Sequence, residues 1–361
     1  MAKKSDLCPG QQGGFPLFDT MIGKLRNPTL ISLNALKYGP LAPIRHAASH
    51  RTTVCIVSES PRLGRHYEMS LISKMRSVNS AQPLGMFQVS FCMSFIQNNT
   101  LVAFVQDHKY LYCWNDSFIG TLPWQVTHGL KCMSAAQVND NLCRLLVCEE
   151  KNICFLLEVH RIPYDFEEPD AYRGRLNEEF FHLSLDADDP HSGAVGVLGA
   201  HLFEGNIGFV ATEKGIVRWQ FLLSVQKEEG GDWFETYDSI SIDESRQLAC
   251  VMSETDAIFY KQGREEFVVV NFKSFQVTCK VQVPGSKLDS LAIVQVPREL
   301  SAYQVLGVEW NERQLTVVDL GSLTRTKLDL PLEGWVEWII GIPEESTALI
   351  VYKHEMVYIR I

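Results

Sequence analysis

Short apolar blocks alternate with short polar ones along the whole chain, and one arrangement of them recurs. An apolar stretch is followed by two to four polar residues rich in acid and base, then by an alternating apolar run that often ends in an aromatic residue. The string is found at Gln106 to Trp114 (QDHKYLYCW), Glu149 to Leu156 (EEKNICFL), Thr212 to Trp219 (TEKGIVRW), Ser253 to Tyr260 (SETDAIFY), Asn311 to Asp319 (NERQLTVVD) and Lys353 to Ile361 (KHEMVYIRI). A looser first copy spans Thr52 to Ser73, with a longer polar middle, SESPRLGRH. Period-two alternation on both sides of a polar turn predicts a β-hairpin in each copy. Anchored on the residue before each second run (His66, Lys109, Asn152, Gly215, Asp256, Gln314 and Glu355), the copies are spaced by 43, 43, 63, 41, 58 and 41 residues. A unit of about 40 to 45 residues around a central hairpin is the length of a four-stranded repeat.

Helical periodicity over more than two turns is scarce. Strand patterns are abundant: MFQVSFCMSFI, TLVAFVQ, RLLVC, NICFLLEV, NIGFVAT, EFVVVNF, QVTCKVQV, LAIVQV and ALIVYK are β-branched or aromatic and separated by turn residues. Several are apolar throughout, as expected of strands covered on both faces. The chain is therefore read as all-β. Each copy fills out to four strands; in one, Leu288 to Pro297, Tyr303 to Glu309, Gln314 to Leu320 and Thr324 to Pro331 follow in order.

The stretch VVDLGSLTRTKLDL, ending that unit, resembles the end of a WD repeat, in which an apolar pair and an Asp precede a short turn and an outer strand. No Gly-His pair opens the copies and no Trp-Asp closes them: Trp114 is followed by Asn115 and Trp219 by Gln220. From about residue 15 the chain is thus similar to a divergent WD-repeat-like β-propeller, on period and strand pattern. The resemblance implies a seven-bladed β-propeller of four-stranded antiparallel blades, occupying 15–361 as a single domain behind a flexible leader, 1–14. The last copy ends at Ile361 on a third strand, so an N-terminal strand from Phe15 to Leu36 is expected to join the last blade and close the ring, removing its exposed edges.

Both long gaps contain extra chain. Arg161 to Ser192 is an acidic insertion with Tyr164, Phe166 and Tyr172 set among the acids, read as a surface excursion with part of an outer strand in FFHLSL, or as a docking loop. The other contains Lys261 to Glu266 (KQGREE), read as a lengthened hairpin without function.

Composition adds limits. A hydrophobic fraction of 46%, with 10% aromatic residues, is ample for a large core. The net charge of -10 is uneven: residues 1–76 carry +7, the remainder -17, and residues 164–190 alone -7. Ten cysteines are scattered without Cys-x-x-Cys or zinc-ligand spacing, mostly inside apolar runs where a thiol acts as a small hydrophobe, which fits a reducing compartment. The first residues, MAKKSDLCPG, lack the apolar core of a secretory signal, and no run of about eighteen apolar residues predicts a membrane span. The expected location is cytoplasmic or nuclear.

Catalytic patterns are not found. Phosphate-binding loops, a Gly-x-Ser-x-Gly elbow and His-Glu-x-x-His are all missing, and paired acids such as Glu149-Glu150 and Glu344-Glu345 fall in predicted turns. No catalytic residue, cofactor, metal or small-molecule substrate is expected. The leading reading is a non-catalytic interaction scaffold or adaptor whose partners are other protein subunits of an intracellular complex. The rival is a nucleic-acid-associated propeller using its basic N-terminal quarter. A third is a propeller enzyme with a site in the central channel. In a propeller the turns joining second to third strands share one rim, so Arg62, Arg65, His108, Lys109, Arg313, Lys353 and His354 are the candidate partner-binding ring, with Tyr164, Phe166 and Tyr172 on the insertion. Lys151, Lys214, Asp107, Glu149, Glu150, Glu213, Glu254, Asp256, Glu312 and Glu355 are assigned to the same rim. Trp124, Trp233 and Trp335 are placed at blade boundaries, where they pack between blades or anchor a partner.

Overall fold

The computed structural model describes the strands given below, together with residues 196, 204–206, 213–214, 222, 242, 253–255, 262–265, 272–275, 283–285, 303 and 320–323; side chains are described mostly within 131–158 and from 196 onward. β1 (Leu17–Met21) and β2 (Ser32–Leu36) form an antiparallel pair. Four-stranded sheets then succeed one another. The first holds β3 (Ile44–His50), β4 (Thr53–Glu59), β5 (Tyr67–Ser73) and β6 (Ser77–Gly85), and the second β7 (Val89–Gln97), β8 (Thr100–Val105), β9 (Tyr110–Trp114) and β10 (Ile119–Gln125). The third holds β11 (Leu130–Asn139), β12 (Leu142–Glu149), β13 (Cys154–Arg161) and β14 (Tyr172–Arg173), and the fourth β15 (Val197–Phe203), β16 (Ile207–Thr212), β17 (Gly215–Phe221) and β18 (Phe234–Ser241). The fifth holds β19 (Leu248–Met252), β20 (Asp256–Lys261), β21 (Glu266–Asn271) and β22 (Gln276–Gln282), and the sixth β23 (Leu288–Gln295), β24 (Gln304–Glu309), β25 (Gln314–Asp319) and β26 (Thr324–Leu328). A three-stranded sheet follows: β27 (Val336–Ile342), β28 (Thr347–Tyr352) and β29 (Glu355–Arg360).

All these sheets are antiparallel and ordered as the chain runs, so each hairpin is local. The all-β, four-stranded antiparallel reading is what the structure has. Its sixth unit matches the expected strands closely, and the last copy does stop on its third strand.

The fifth unit differs. The string SETDAIFY spans the turn between the first and second strands, whereas Lys261 to Glu266 form the turn between the second and third. KQGREE is therefore no lengthened hairpin but the central turn itself, a single turn of 3-10 helix at Gln262–Arg264 closed by Glu265 at φ 52°. Anchored on Glu266, the gap of 58 residues disappears, leaving neighbouring spacings of 51 and 48. In the third sheet the outer strand is Tyr172–Arg173, paired with His160 and Arg161, while FFHLSL lies outside the described residues.

The core lies between successive sheets rather than on one side of each. Alternate residues of β20 face opposite ways: Ala257 and Phe259 join a cluster with Phe209, Ala211 and Ile216 of the fourth sheet, while Ile258 and Tyr260 join Leu288, Val305 and Val318 of the sixth. All six residues of β20 are buried, which explains why its middle, AIFY, is apolar without alternation. Leu146, Cys148, Cys154 and Leu156 likewise meet Val210, Val217 and Trp219 across the third and fourth sheets, and Leu306, Leu315 and Val317 meet Ala348, Ile350 and Ile359 across the sixth and seventh. Fully burying side chains of this size stabilises by about 1.5–3 kcal/mol each. First strands approach closely enough to demand glycine at one point: a Cβ on Gly341 would sit 1.9 Å from Ile293 O.

The first strand of each sheet lies beside that of the next, from β3 through β7, β11, β15, β19 and β23 to β27; β27 also lies beside β3, and β2 runs beside β29.

Candidate interaction face

Antiparallel order gives every sheet two unlike ends. The turn from second to third strand occupies one, here the upper end; the turns from first to second and from third to fourth occupy the other, the lower end. Arg62 and Arg65 fall between β4 and β5, His108 and Lys109 between β8 and β9, Arg313 between β24 and β25, and Lys353 and His354 between β28 and β29. These residues, like Tyr164 and Phe166, lie outside the described ones. Tyr172 starts β14, its backbone paired with Arg161. Glu254 and Asp256 are corrected: they sit at the lower end, because their hairpin is the first-to-second turn. Trp233 falls between the third and fourth strands of its sheet, not at a boundary; Trp335 does precede a first strand, and Trp124 lies in β10.

Two upper turns are described in detail. In the fourth sheet the Thr212 hydroxyl accepts hydrogen bonds from the amides of Lys214 and Gly215 (3.3 and 3.2 Å) and donates to Gly215 O, while Glu213 N donates to Gly196 O. In the fifth, Lys261 and Glu266 form an ion pair at 2.9 Å across the turn, Gly285 N donates to Glu265 Oε2 at 2.7 Å, and Val283 N to Glu265 O. Gln262, Gly263 and Arg264 are left exposed. Self-contained hydrogen bonding of this kind fixes a turn's backbone while presenting its tip to solvent.

The lower end holds clamps between sheets. Arg144 of β12 is fully buried; its Nε and Nη2 donate to Glu158 Oε1 at 3.0 and 2.8 Å, its Nη1 donates to Gly205 O at 3.3 Å, and its Nη2 donates to Leu222 O. The two carbonyls belong to the lower turns of the fourth sheet, so one guanidinium ties the third sheet to the fourth. Between the fourth and fifth, His201, Phe272 and Phe209 stack with centroids 5.0 and 4.3 Å apart, and the Arg218 guanidinium lies 4.3 Å from the Phe275 ring centre. Burial pushes the His201 imidazole down to about 4, against the opposing effect of a hydrogen bond to the Glu254 backbone. Between the fifth and sixth, the Tyr303 hydroxyl donates to Asp256 Oδ2, and the Asp256 carboxylate also accepts from Thr255 Oγ1 (2.6 Å) and Asn271 Nδ2 (3.0 Å). Burial first, and then the Asp256 hydrogen bond, push the Tyr303 phenol up to about 12, so it stays a donor.

The lower turns also contain a repeated device. VVVNFKSF and TVVDLGSL end the third strands of the fifth and sixth sheets. Asn271 Oδ1 accepts from Ser274 N at 3.0 Å, and Asp319 Oδ1 accepts from Gly321 N and Ser322 N at 2.9 and 2.8 Å. The last residue of each, Phe275 and Leu323, has φ 47° and 55°. Burial pushes the Asp319 carboxyl up, but hydrogen bonds from Ser322, Gln304 and Gly321 outweigh it and hold it below its ordinary value. Leu323, 52% exposed, is the one large apolar side chain left in solvent among the described residues.

Among the described residues no three His, Cys, Asp or Glu side chains are grouped to hold a metal ion, and no helix is long and apolar enough to cross a membrane.

This arrangement of radially packed four-stranded sheets is a β-propeller. The β-propeller domain of Cps50 (Swd1) from Myceliophteria thermophila is similar over 95% of this chain and 99% of that one, with a TM-score of 0.57 at 11% identity. Virginiamycin B lyase from Staphylococcus aureus is similar over 91% and 99%, with a TM-score of 0.55 at 10% identity, and U3-55K over 91% and 98%, with a TM-score of 0.54 at 10% identity. No family model and no curated protein matches the sequence. The likeness is one of fold alone, and the fold serves a lyase as readily as other proteins.

Proposed function

We propose that the chain is a non-catalytic interaction scaffold, a seven-bladed propeller that joins protein subunits of a cytoplasmic or nuclear assembly through its upper-end turns. The observation that carries this reading is the run of lower-end clamps across three successive sheet boundaries: an ion pair, an aromatic stack and a Tyr–Asp hydrogen bond. They hold neighbouring sheets in register, which lets turns at the opposite end present a fixed pattern of charge. Ring closure is part of the proposal, with β2 completing the last blade as its outer strand; the neighbours of β27 and β29 support it. Deleting residues 15–36 then leaves aggregated protein, whereas a soluble, cooperatively folding product argues against closure.

The binding face is tested by charge reversal. Glu is placed at Arg62, Arg65, His108, Lys109, Arg313, Lys353 and His354 in small groups, with Lys273→Glu as the lower-end control, since Lys273 is exposed on a third-to-fourth turn. Assemblies are isolated from native cells after cross-linking. Loss of the same partners in the ring variants alone, with unchanged circular dichroism, supports the reading; an unchanged partner set in every ring variant refutes it. Salt-dependent retention of oligonucleotides in place of proteins would move the reading to nucleic acid.

A further inference from the structure

Three thiols form one cross-strand row in the third sheet. Cys132 of β11 is the register partner of Cys148 of β12, which in turn is the partner of Cys154 of β13. Register partners project to one face, and all three belong to the apolar cluster between the third and fourth sheets. None of the three is in a disulfide. Cys148 and Cys154 are 0% exposed, and Cys132 is the least buried of the three.

We propose that this row is an oxidation site, in which Cys132 accepts the oxidising equivalent from a peroxide and passes it inward as a disulfide on Cys148. The peroxide O–O bond breaks as an S–O bond forms on Cys132, giving a sulfenic acid while the reduced peroxide leaves as water or an alcohol. The Cys148 sulfur then attacks Cys132 sulfur; the S–S bond forms, the S–O bond breaks, and the hydroxyl departs as water with the Cys148 proton. Cys154 flanks Cys148 on the side opposite Cys132. Its sulfur attacks Cys148, forming the Cys148–Cys154 bond and expelling Cys132, which regains a proton as Cys154 loses one.

The Cys148 hydrogen bond, and then burial, raise the Cys132 thiol well above its ordinary value, and burial raises that of Cys154. Little thiolate exists at neutral pH, so the site responds slowly and faster as pH rises. Directly opposed Cβ atoms stand about 4.5–5.5 Å apart, wider than the ~3.8 Å of a relaxed disulfide. The bridge therefore draws strands together and is readily reduced.

The test treats the full chain with tert-butyl hydroperoxide at about pH 8.5, where thiolate is enriched, blocks remaining thiols with N-ethylmaleimide, and maps non-reduced peptides by mass spectrometry. The expected result is a dithiothreitol-reversible disulfide joining Cys148 to Cys132 or Cys154. Cys132→Ser lowers the yield of any Cys148 disulfide at least tenfold, and Cys154→Ala confines the bridge to Cys132–Cys148. A wild-type map in which Cys132 is oxidised to sulfinic acid while Cys148 stays reduced overturns the proposal, whatever the variants do. So does a Cys148–Cys154 disulfide forming at the wild-type rate in Cys132→Ser.

Discussion

Replacing Arg144 by Met tests whether the lower-end clamp between the third and fourth sheets depends on charge. The guanidinium is 0% exposed and makes two bonds to Glu158 Oε1 and one each to Gly205 O and Leu222 O. Removing one member of a buried ion pair costs about 3–5 kcal/mol, because the other charge stays buried. The two carbonyls each lose a donor, at about 0.5–1.5 kcal/mol apiece. R144M should therefore lose about 5 kcal/mol, and E158L about 4 kcal/mol. The double variant R144M/E158L buries no charge, so only the carbonyl losses remain, about 2 kcal/mol. The measurement is the urea midpoint by circular dichroism for all four proteins, as a double-mutant cycle. A double variant as unstable as the sum of the two singles would refute the argument, since the pair would then contribute nothing as a pair.

Tyr303→Phe removes the donor that crosses from the sixth sheet to the Asp256 carboxylate and should lower stability by about 1–3 kcal/mol; a urea midpoint within error of wild type would show the bond to be idle. His201 gives a pH signature: its folded value of about 4 lies below the ordinary 6.5, so its stabilising contribution is complete above 6.5 and is lost as pH falls towards 4. His201→Phe keeps a ring against Phe272 and should remove up to about 3 kcal/mol of that acid loss; parallel stability curves for the two proteins between pH 7 and 4 would contradict it. Thr347 is fully buried and its hydroxyl finds no hydrogen-bond partner among the described residues, so Thr347→Val should be neutral or stabilising by up to about 1 kcal/mol in a thermal melt. A loss above 1 kcal/mol would mean the hydroxyl has a partner.

Hairpins were legible because each hairpin joins strands that are neighbours in sequence and turns are polar. The fifth unit misled for a definite reason. β20 is buried on both faces, so it carries no alternation to distinguish its two neighbours, and the turns on either side, SETD and KQGREE, are both polar. The signal that resolves it was present in VVVNFKSF and TVVDLGSL: superposing these strings sets Asn271 on Asp319 and moves the register by one strand. The clamps left no such trace. Tyr303 and Asp256 are 47 residues apart, and Arg144 and Gly205 are 61, so only packing of one sheet on the next brings them together. A charged residue opening an apolar run looks the same whether its head group reaches water or a neighbouring sheet.

The two ends of the sheets therefore make different demands on sequence. At the lower end, the carbonyls, rings and carboxylates of turn residues are partners for groups in adjacent sheets. Changing them alters the spacing of sheets and costs stability. At the upper end, the fourth and fifth sheets satisfy their turns mostly within the turn or the connection beside it, as Thr212 and Glu265 do. Exposed tips such as Arg264 can change sign at a cost within about 0.5 kcal/mol. Arg264→Glu should leave the urea midpoint unchanged, while Asp256→Ala, which strips the carboxylate from Tyr303, Thr255 and Asn271, should lower it by several kcal/mol. Equal effects of the two would show that stability and surface are not divided between the ends, and that a partner could not bind the upper turns without also being selected for the fold.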